Sequence, residues 1–277
     1  MLLTALASEP DPAARLDQAT MAGHFMPAMP ALRHAAVSFF AFFVTPLGLH
    51  AAWWLSTDAA LAWSQADWSS AHVLPPARAK PEALVHVYAA RTGRWKGIFA
   101  HHTWIVVKDR NAGAYTRFDK VAWGLPVKTN NWAPDARWYG HRPILVGAVE
   151  GPAAETLIPK VRAAVERYPY SHYGDYSVWP GPNSNSFTAY VLGAVPEAPI
   201  ALPPTAIGKD WRVDGSILGL TPSRTGIQLS VNGLLGVTVG WVEGLEVNLL
   251  GLVAGLDLRR PALKLPGLGR IGLGRVT

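Results

Sequence analysis

The chain has 277 residues, of which 49% are hydrophobic and 16% charged, with a formal net charge of +6 and a pI near 9.6. So many apolar residues supply a sizeable core, which excludes disorder of the whole chain. Lys and Arg are scattered singly, so nucleic acid is not an expected partner, and the absence of cysteine excludes disulfides, thiolate metal sites and a cysteine nucleophile.

Twelve Trp residues and a mean hydropathy of +0.13 suit a protein of the cell envelope. Residues 1–34 form an N-terminal segment whose Glu9, Asp11 and Asp17 are unlike the start of a signal peptide. Met21, Met26 and Met29 offer internal starts, and translation from Met29 would place MPALRH ahead of the apolar run. From Ala35 to Leu55 there is no Asp, Glu, Lys or Arg. This is the length a helix needs to cross a bilayer, so residues 35–55 are expected to be a transmembrane helix or signal anchor. Arg33 and His34 precede it and Trp53 and Trp54 close it as interfacial anchors, which puts the N-terminus in the cytoplasm and the rest outside. A cleaved signal peptide and a buried core helix are the alternatives.

Residues 56–81, with Pro75, Pro76 and Pro81, are expected to form a semi-rigid linker, and a folded domain to occupy 82–212. Four strands are predicted at Ala83 to Ala90, His101 to Lys108, Gly113 to Asp119 and Ile144 to Glu150, each β-branched or aromatic and bounded by Gly, Pro or Asn. A helix follows over AAETLIPKVRAAVERY, with Pro159 expected to restart it rather than continue it. A second helix is predicted from about Ser184 to Val195, because Asn183, Ser184, Asn185 and Ser186 can satisfy the first N–H groups ahead of an apolar run. Residues 213–277 are expected to form a Gly-rich β meander, with strands Ile227 to Val231, Leu234 to Val239 and Leu245 to Leu252, and a basic tail. The meander either packs on the main sheet or rests on a membrane surface.

If Asp109 to Ala112 form a four-residue hairpin loop, Lys108 pairs with Gly113 and Asp119 stands directly across from His102. A carboxylate there would fix the tautomer of an imidazole base. Ser184, at a helix N-terminus, has three readings: cap, serine nucleophile, or relic in a binding-only protein. Ser186 replaces it if the helix starts later. Asn183 and Asn185 are candidates for oxyanion contacts or loop stabilisation. Trp104, Tyr173 and Trp179 are candidate cleft aromatics for stacking on a sugar or acyl chain. His101 and His102 alternate across a strand, and with no acidic cluster neither a metal nor any other cofactor is expected.

The segments RTGRWKGIFAHHTWIVVK, RWYGHRP, YPYSHYGDYSVWPGPNSNSF and LPPTAIGKDW resemble the bacterial domain-of-unknown-function 3750 family. That resemblance implies a membrane-anchored protein. PNSNSFTAYV is similar to the Asn-Cys-x-x-Phe-Val element of permuted papain-like enzymes, the NlpC-type amidases and lecithin retinol acyltransferase relatives, with Ser184 at the cysteine position. That second likeness implies an α+β fold of permuted papain-like topology: an antiparallel sheet with two packed helices, His102 as base, Asp119 as orienter and Ser184 as nucleophile. A serine hydroxyl does not ionise as a thiol does and needs a well-aligned base. The expected function is therefore a serine-dependent amide or ester hydrolase or acyltransferase on envelope peptides or lipids, in the inner membrane with its bulk outside. The alternative is a non-catalytic envelope module that binds a polymer, lipid or partner protein in the same aromatic cleft.

Overall fold

The structure, a computed structural model, describes residues 28–57 and 62–272, so most of the 1–34 segment, with Met21 and Met26, lies outside the described residues. The chain divides into two units, Met1–Ala41 and Phe42–Thr277. The first unit contains α1 (Ala28–Phe39), which is exposed over its described side chains. A π-helical segment, Phe40–Val44, leads into α2 (Thr45–Leu55), where Pro46 is tolerated because the first turn of α2 does not need its N–H. The helix Pro30–Leu55 is long and apolar enough to cross a membrane.

Within the second unit α2 is not free along its length. Phe43, His50 and Trp54 are buried, and the Trp54 indole donates to Arg94 O at 3.1 Å. Trp54 is therefore a docking residue rather than the interfacial anchor expected of it, whereas Trp53 remains exposed. The segment after it also differs from a spacer. Trp63 packs on Trp68 at 3.9 Å, Ser70 forms a bridge with Ala136, and the Asp135 carboxylate accepts from Ser70 Oγ and the Val73 and Leu74 N–H groups. Its aromatic residues find a larger apolar surface on the sheet than water offers, so residues 62–81 are an arm laid on the domain.

The domain is α+β, built on an antiparallel sheet in the order β4-β3-β2-β1-β5: β1 Leu84–Arg91, β2 His101–Lys108, β3 Thr116–Lys120, β4 Val127–Thr129 and β5 Ile144–Glu150. Both faces of its centre are covered, which is why β1 and β2 are buried almost throughout. On one face Val85, Val87, Ile105 and Val107 pack under α3 (Pro152–Glu166) and α4 (Ser184–Gly193). On the other, Leu84, Tyr88, Trp104 and Trp138 form a second core beneath the arm, each large side chain contributing about 1.5–3 kcal/mol by its burial.

Contrary to expectation, α3 runs through Pro159 without a break. Pro159 is on the solvent face, where water can take up the carbonyl it leaves unpaired. Leu157, Ile158, Val161 and Val165 on the buried face outweigh the proline penalty of about 3 kcal/mol. The β2–β3 loop is also longer than expected. Ile105 faces Phe118 and Val107 faces Thr116, a register two residues further along, so the strand starts at Thr116 rather than Gly113.

The C-terminal sheet has seven antiparallel strands in sequential order: β6 Leu218–Leu220, β7 Gly226–Val231, β8 Leu235–Gly240, β9 Gly244–Leu249, β10 Leu252–Asp257, β11 Ala262–Leu265 and β12 Gly269–Gly272. The expected third strand is broken at Leu250 and Gly251, both at positive φ, and much of the expected tail is the paired hairpin β11–β12. The alternation is inverted relative to an ordinary sheet. Gln228, Thr238, Glu246, Asn248 and Lys264 point inward and are buried, while one aliphatic residue per strand faces outward in register: Leu220, Ile227, Val239, Leu245, Leu256, Leu263 and Ile271, each 39–57% exposed. The inner face carries a closed charge network. Lys209 Nζ donates to Asp210 Oδ1 (3.0 Å) and Glu246 Oε2 (2.5 Å), Lys264 Nζ to Glu246 Oε1 (2.6 Å), and the Gln228 and Asn248 amides to the Asp210 carboxylate. Lys209 and Asp210 belong to the LPPTAIGKDW segment, which thereby locks the meander to the domain.

Candidate active site

Three elements converge at one end of the first sheet: the start of β2, the residues that follow β3, and the N-terminus of α4. Asn183 is the N-cap of α4, its side-chain oxygen accepting from the Asn185 and Ser186 N–H groups at 2.9 and 3.1 Å. Ser186 Oγ accepts in return from the Asn183 N–H at 2.8 Å, completing a capping box. Ser184 is thus the first helical residue, and Ser186 is spent on the cap. The Asn183 and Asn185 amides both donate to Ile207 O, and Asn185 also donates to His101 O. Both asparagines therefore brace the loop, and the Asn185 and Ser186 N–H groups are already occupied. The brace needs Gly208, held at φ +91°, since a Cβ there would meet Asn183 Nδ2 at 2.2 Å.

His102 lies on the sheet face opposite the helices, with Trp104, and its ring stacks on Trp138 at 3.8 Å and 5°. Its Nε2 is 2.9 Å from Asp119 Oδ1, the contact expected from the sequence, although reached differently. The two-residue register change keeps Asp119 on the same face, and it meets His102 diagonally instead of directly across. Arg117, two residues earlier on that face, donates to both Asp119 oxygens at 2.7 and 2.8 Å and packs over the Trp104 ring at 4.1 Å. All three polar residues are buried.

Burial drives the electrostatics. It lowers the His102 pKa, and the hydrogen bond and charge of Asp119 only partly oppose it, so the imidazole is neutral near pH 7. Burial alone would raise the Asp119 pKa, but the Arg117 charge and hydrogen bonds from His102 and Arg117 hold it below the usual carboxylate range. An ionised Asp119 requires the His102 proton on Nε2, leaving Nδ1 as the basic nitrogen.

His102 and Ser184 line the same cavity, of about 490 Å³, together with Trp138, Tyr176 and Trp179. Thr103, on the helix face of β2, joins strand to helix, with Oγ1 2.9 Å from Asn185 Oδ1 and 3.0 Å from Thr188 Oγ1. Among the described residues, no hydrogen bond joins Ser184 Oγ to His102. The Ser184 hydroxyl and N–H instead favour the anionic form of Tyr176; burial outweighs them and pushes this phenol up to about 12, so it stays a donor. Residues 82–211, which hold every one of these groups, match the model of a family described as protein of unknown function (DUF3750). This domain belongs to that family. No curated protein and no solved structure matches the chain.

In this DUF3750 domain the sequence-predicted cleft aromatics separate. Trp179 lines the cavity, its indole donating to Leu250 O at 2.9 Å. Trp104 lies beneath Arg117 in the core, and Tyr173 is 83% exposed and away from the cavity. Arg117 was missed, although it carried a signal, a cation at the same-face position i−2 from the proposed orienter; Trp138 and Tyr176 lie in the aromatic-rich segments RWYGHRP and YPYSHYGDYSVWPGPNSNSF and were not singled out from them.

Proposed function

We propose that the domain is a membrane-tethered acyl hydrolase or acyltransferase of permuted papain-like topology that uses Ser184 as nucleophile. One observation carries this: a neutral imidazole with its Nε2 held by an ion pair, and a serine at a helix N-terminus, line a single, largely apolar cavity. Ser184 Oγ attacks an ester or amide carbonyl while His102 Nδ1 takes its proton, and the developing oxyanion is held by the Ser184 N–H and the Tyr176 hydroxyl. His102 returns the proton to the departing alcohol or amine, and water or a second acceptor then cleaves the acyl-serine with His102 again as base. The Asp119–Arg117 pair keeps the ring oriented and steadies the imidazolium that forms transiently. The helix Pro30–Leu55 crosses the inner membrane of a bacterium with Arg33 inside, which leaves the domain facing the envelope and its peptides or lipids.

A second reading, a binding module in the same cleft, is favoured by the missing Ser184–His102 hydrogen bond and by the Trp138 ring that clamps the imidazole. Treatment of the full protein in detergent with a fluorophosphonate bearing an alkyl chain separates the two. Catalysis predicts a mass increase on Ser184 that disappears in Ser184→Ala and falls at least about tenfold in His102→Ala. An unlabelled wild type, or a label that survives Ser184→Ala, overturns the nucleophile and leaves the binding module.

A further inference from the structure

The meander presents a surface that water does not explain. From Gly226 to Asp257 no charged side chain is exposed, because Glu243, Glu246 and Asp257 all point inward, while the outward positions carry Leu, Ile and Val in rows that cross the sheet. Ordinary half-buried sheets put the apolar face inside and the polar face outside. Here the charges are buried in a satisfied network and the apolar face is left uncovered, far beyond the scattered exposure normal for a soluble surface.

The neighbouring element says what covers it. α2 is the C-terminal half of the span-length helix, yet it packs within the same compact unit as the meander: Leu47 and His50 lie against Gly267 in the β11–β12 turn, whose φ of +74° and missing side chain allow the approach. Arg91 ties the same turn to the first sheet through a hydrogen bond to Gly267 O at 2.5 Å. α2, which touches the meander at that turn, carries exposed apolar residues of its own: Leu49, Trp53 and Leu55 are 64%, 57% and 73% exposed. A dimer formed by stacking two meanders would leave these residues uncovered, whereas a bilayer would cover both surfaces. At the opposite end of the strands, Trp241 and Arg224 stand exposed on the β8–β9 and β6–β7 turns, with the half-buried Arg259 on the β10–β11 turn. An exposed Trp beside Arg is the pairing that suits the headgroup level of an anionic leaflet.

We propose that the outward face of the meander is a second membrane-contacting element, seated among the acyl chains of a phospholipid leaflet with Trp241 and Arg224 at the headgroups. It rests on the reading of Pro30–Leu55 as a membrane span, and the cavity rim at Leu250 and Leu252 would then lie beside lipid.

The lack of native cysteine permits a direct test on the full chain. Val237→Cys on the face, Phe40→Cys on the helix and Glu166→Cys at the exposed end of α3 are each labelled with a small fluorophore. The proteins are reconstituted in phosphatidylcholine–phosphatidylglycerol vesicles with or without brominated acyl chains, then exposed to aqueous iodide. Lipid seating predicts about twofold quenching by bromine at 237 with little effect of iodide, and the reverse at 166. Iodide quenching at 237 without bromine quenching overturns the proposal. So does protection from both quenchers with self-quenching that grows with the protein-to-lipid ratio, which would assign the face to a second copy of the chain. The helix is read separately: bromine quenching at 40 but not at 237 retains the span and rejects the face, and the converse rejects the span alone.

Discussion

The two sheets handle the same problem in opposite ways. The first buries apolar residues on both faces; its buried lysines, Lys108 and Lys120, donate to backbone carbonyls, and its fully buried ion pair, Asp119–Arg117, joins His102 at the margin of a cavity. The second buries a lattice of lysines, carboxylates and amides and turns its apolar side out. A buried ion pair is weak support for stability compared with a packed core, but losing one partner is costly because the other stays behind as an unpaired charge. On the proposed function the Asp119–Arg117 pair serves the imidazole at the cavity, whereas the charges in the second sheet are expected to hold the fold.

The largest expected effect follows from that contrast. Glu246 holds both Lys209 and Lys264, and its charge together with that of Asp210 overcomes burial to keep the Lys209 ammonium above its ordinary pKa. Glu246→Ala leaves Lys264 without a carboxylate and Lys209 with Asp210 alone, and should lower stability by about 3–5 kcal/mol in denaturant titrations in detergent, with unfolding of the meander. A loss below about 1 kcal/mol would mean that the inner lattice is solvated and that the two sheets do not differ as described.

Much of the first sheet was legible in the sequence and rather less of the second. The β1, β2 and β5 segments are continuous β-branched or aromatic runs, and the Asn183–Ser186 box is a local signal that survives any tertiary context. The His102–Asp119 contact was found through a loop two residues too short at its far end, and it held because a strand repeats every two residues. Arg117 was overlooked because the strand was read for its apolar residues. Tyr176 is on an irregular loop, with no periodicity to aim it at Ser184. In the second sheet the alternation of Leu and Val with Gly was visible, but alternation says only that two faces differ, not which is inside. The β11–β12 hairpin was hidden by Pro and Gly, which serve there at turns and at close strand contacts.

Acid should act on the first sheet before the second. His101 and His102 are adjacent and both buried; burial lowers both pKa values, well below 6.5 for His101, whose Nδ1 has no hydrogen-bond partner among the described residues. Above pH 6.5 both are neutral whether folded or unfolded, so neither contributes a pH-dependent term. As pH falls through 6.5 the unfolded chain binds protons that the folded one resists. Stability is then lost by about 1.4 kcal/mol per pH unit for each histidine until its folded pKa is reached. Denaturant titrations between pH 7 and 5, a range in which ordinary carboxylates stay ionised, measure this slope. His101→Phe should remove its share, and a slope unchanged by that substitution would assign the acid sensitivity elsewhere.

The smallest effect is the most informative about the second sheet. Val237 is 47% exposed on the outward face, directly across from Leu229 and Val247. Val237→Thr keeps the β-branched shape and adds a hydroxyl on a side chain that the protein covers only in part. In an aqueous environment around the face, stability should change by no more than about 0.5 kcal/mol, as at other exposed sites. With lipid or detergent chains against it, the hydroxyl loses water without gaining a partner. The same substitution should then cost about 1–2 kcal/mol in phospholipid vesicles, well outside the range of a water-exposed site. The equivalent change at an inward position, Thr238→Val, should instead be nearly independent of the medium, because Thr238 already faces the Gln228 amide inside the protein. Equal responses at 237 and 238 would show that both faces meet the same surroundings, and the contrast between the two sheets would then be one of composition rather than of environment.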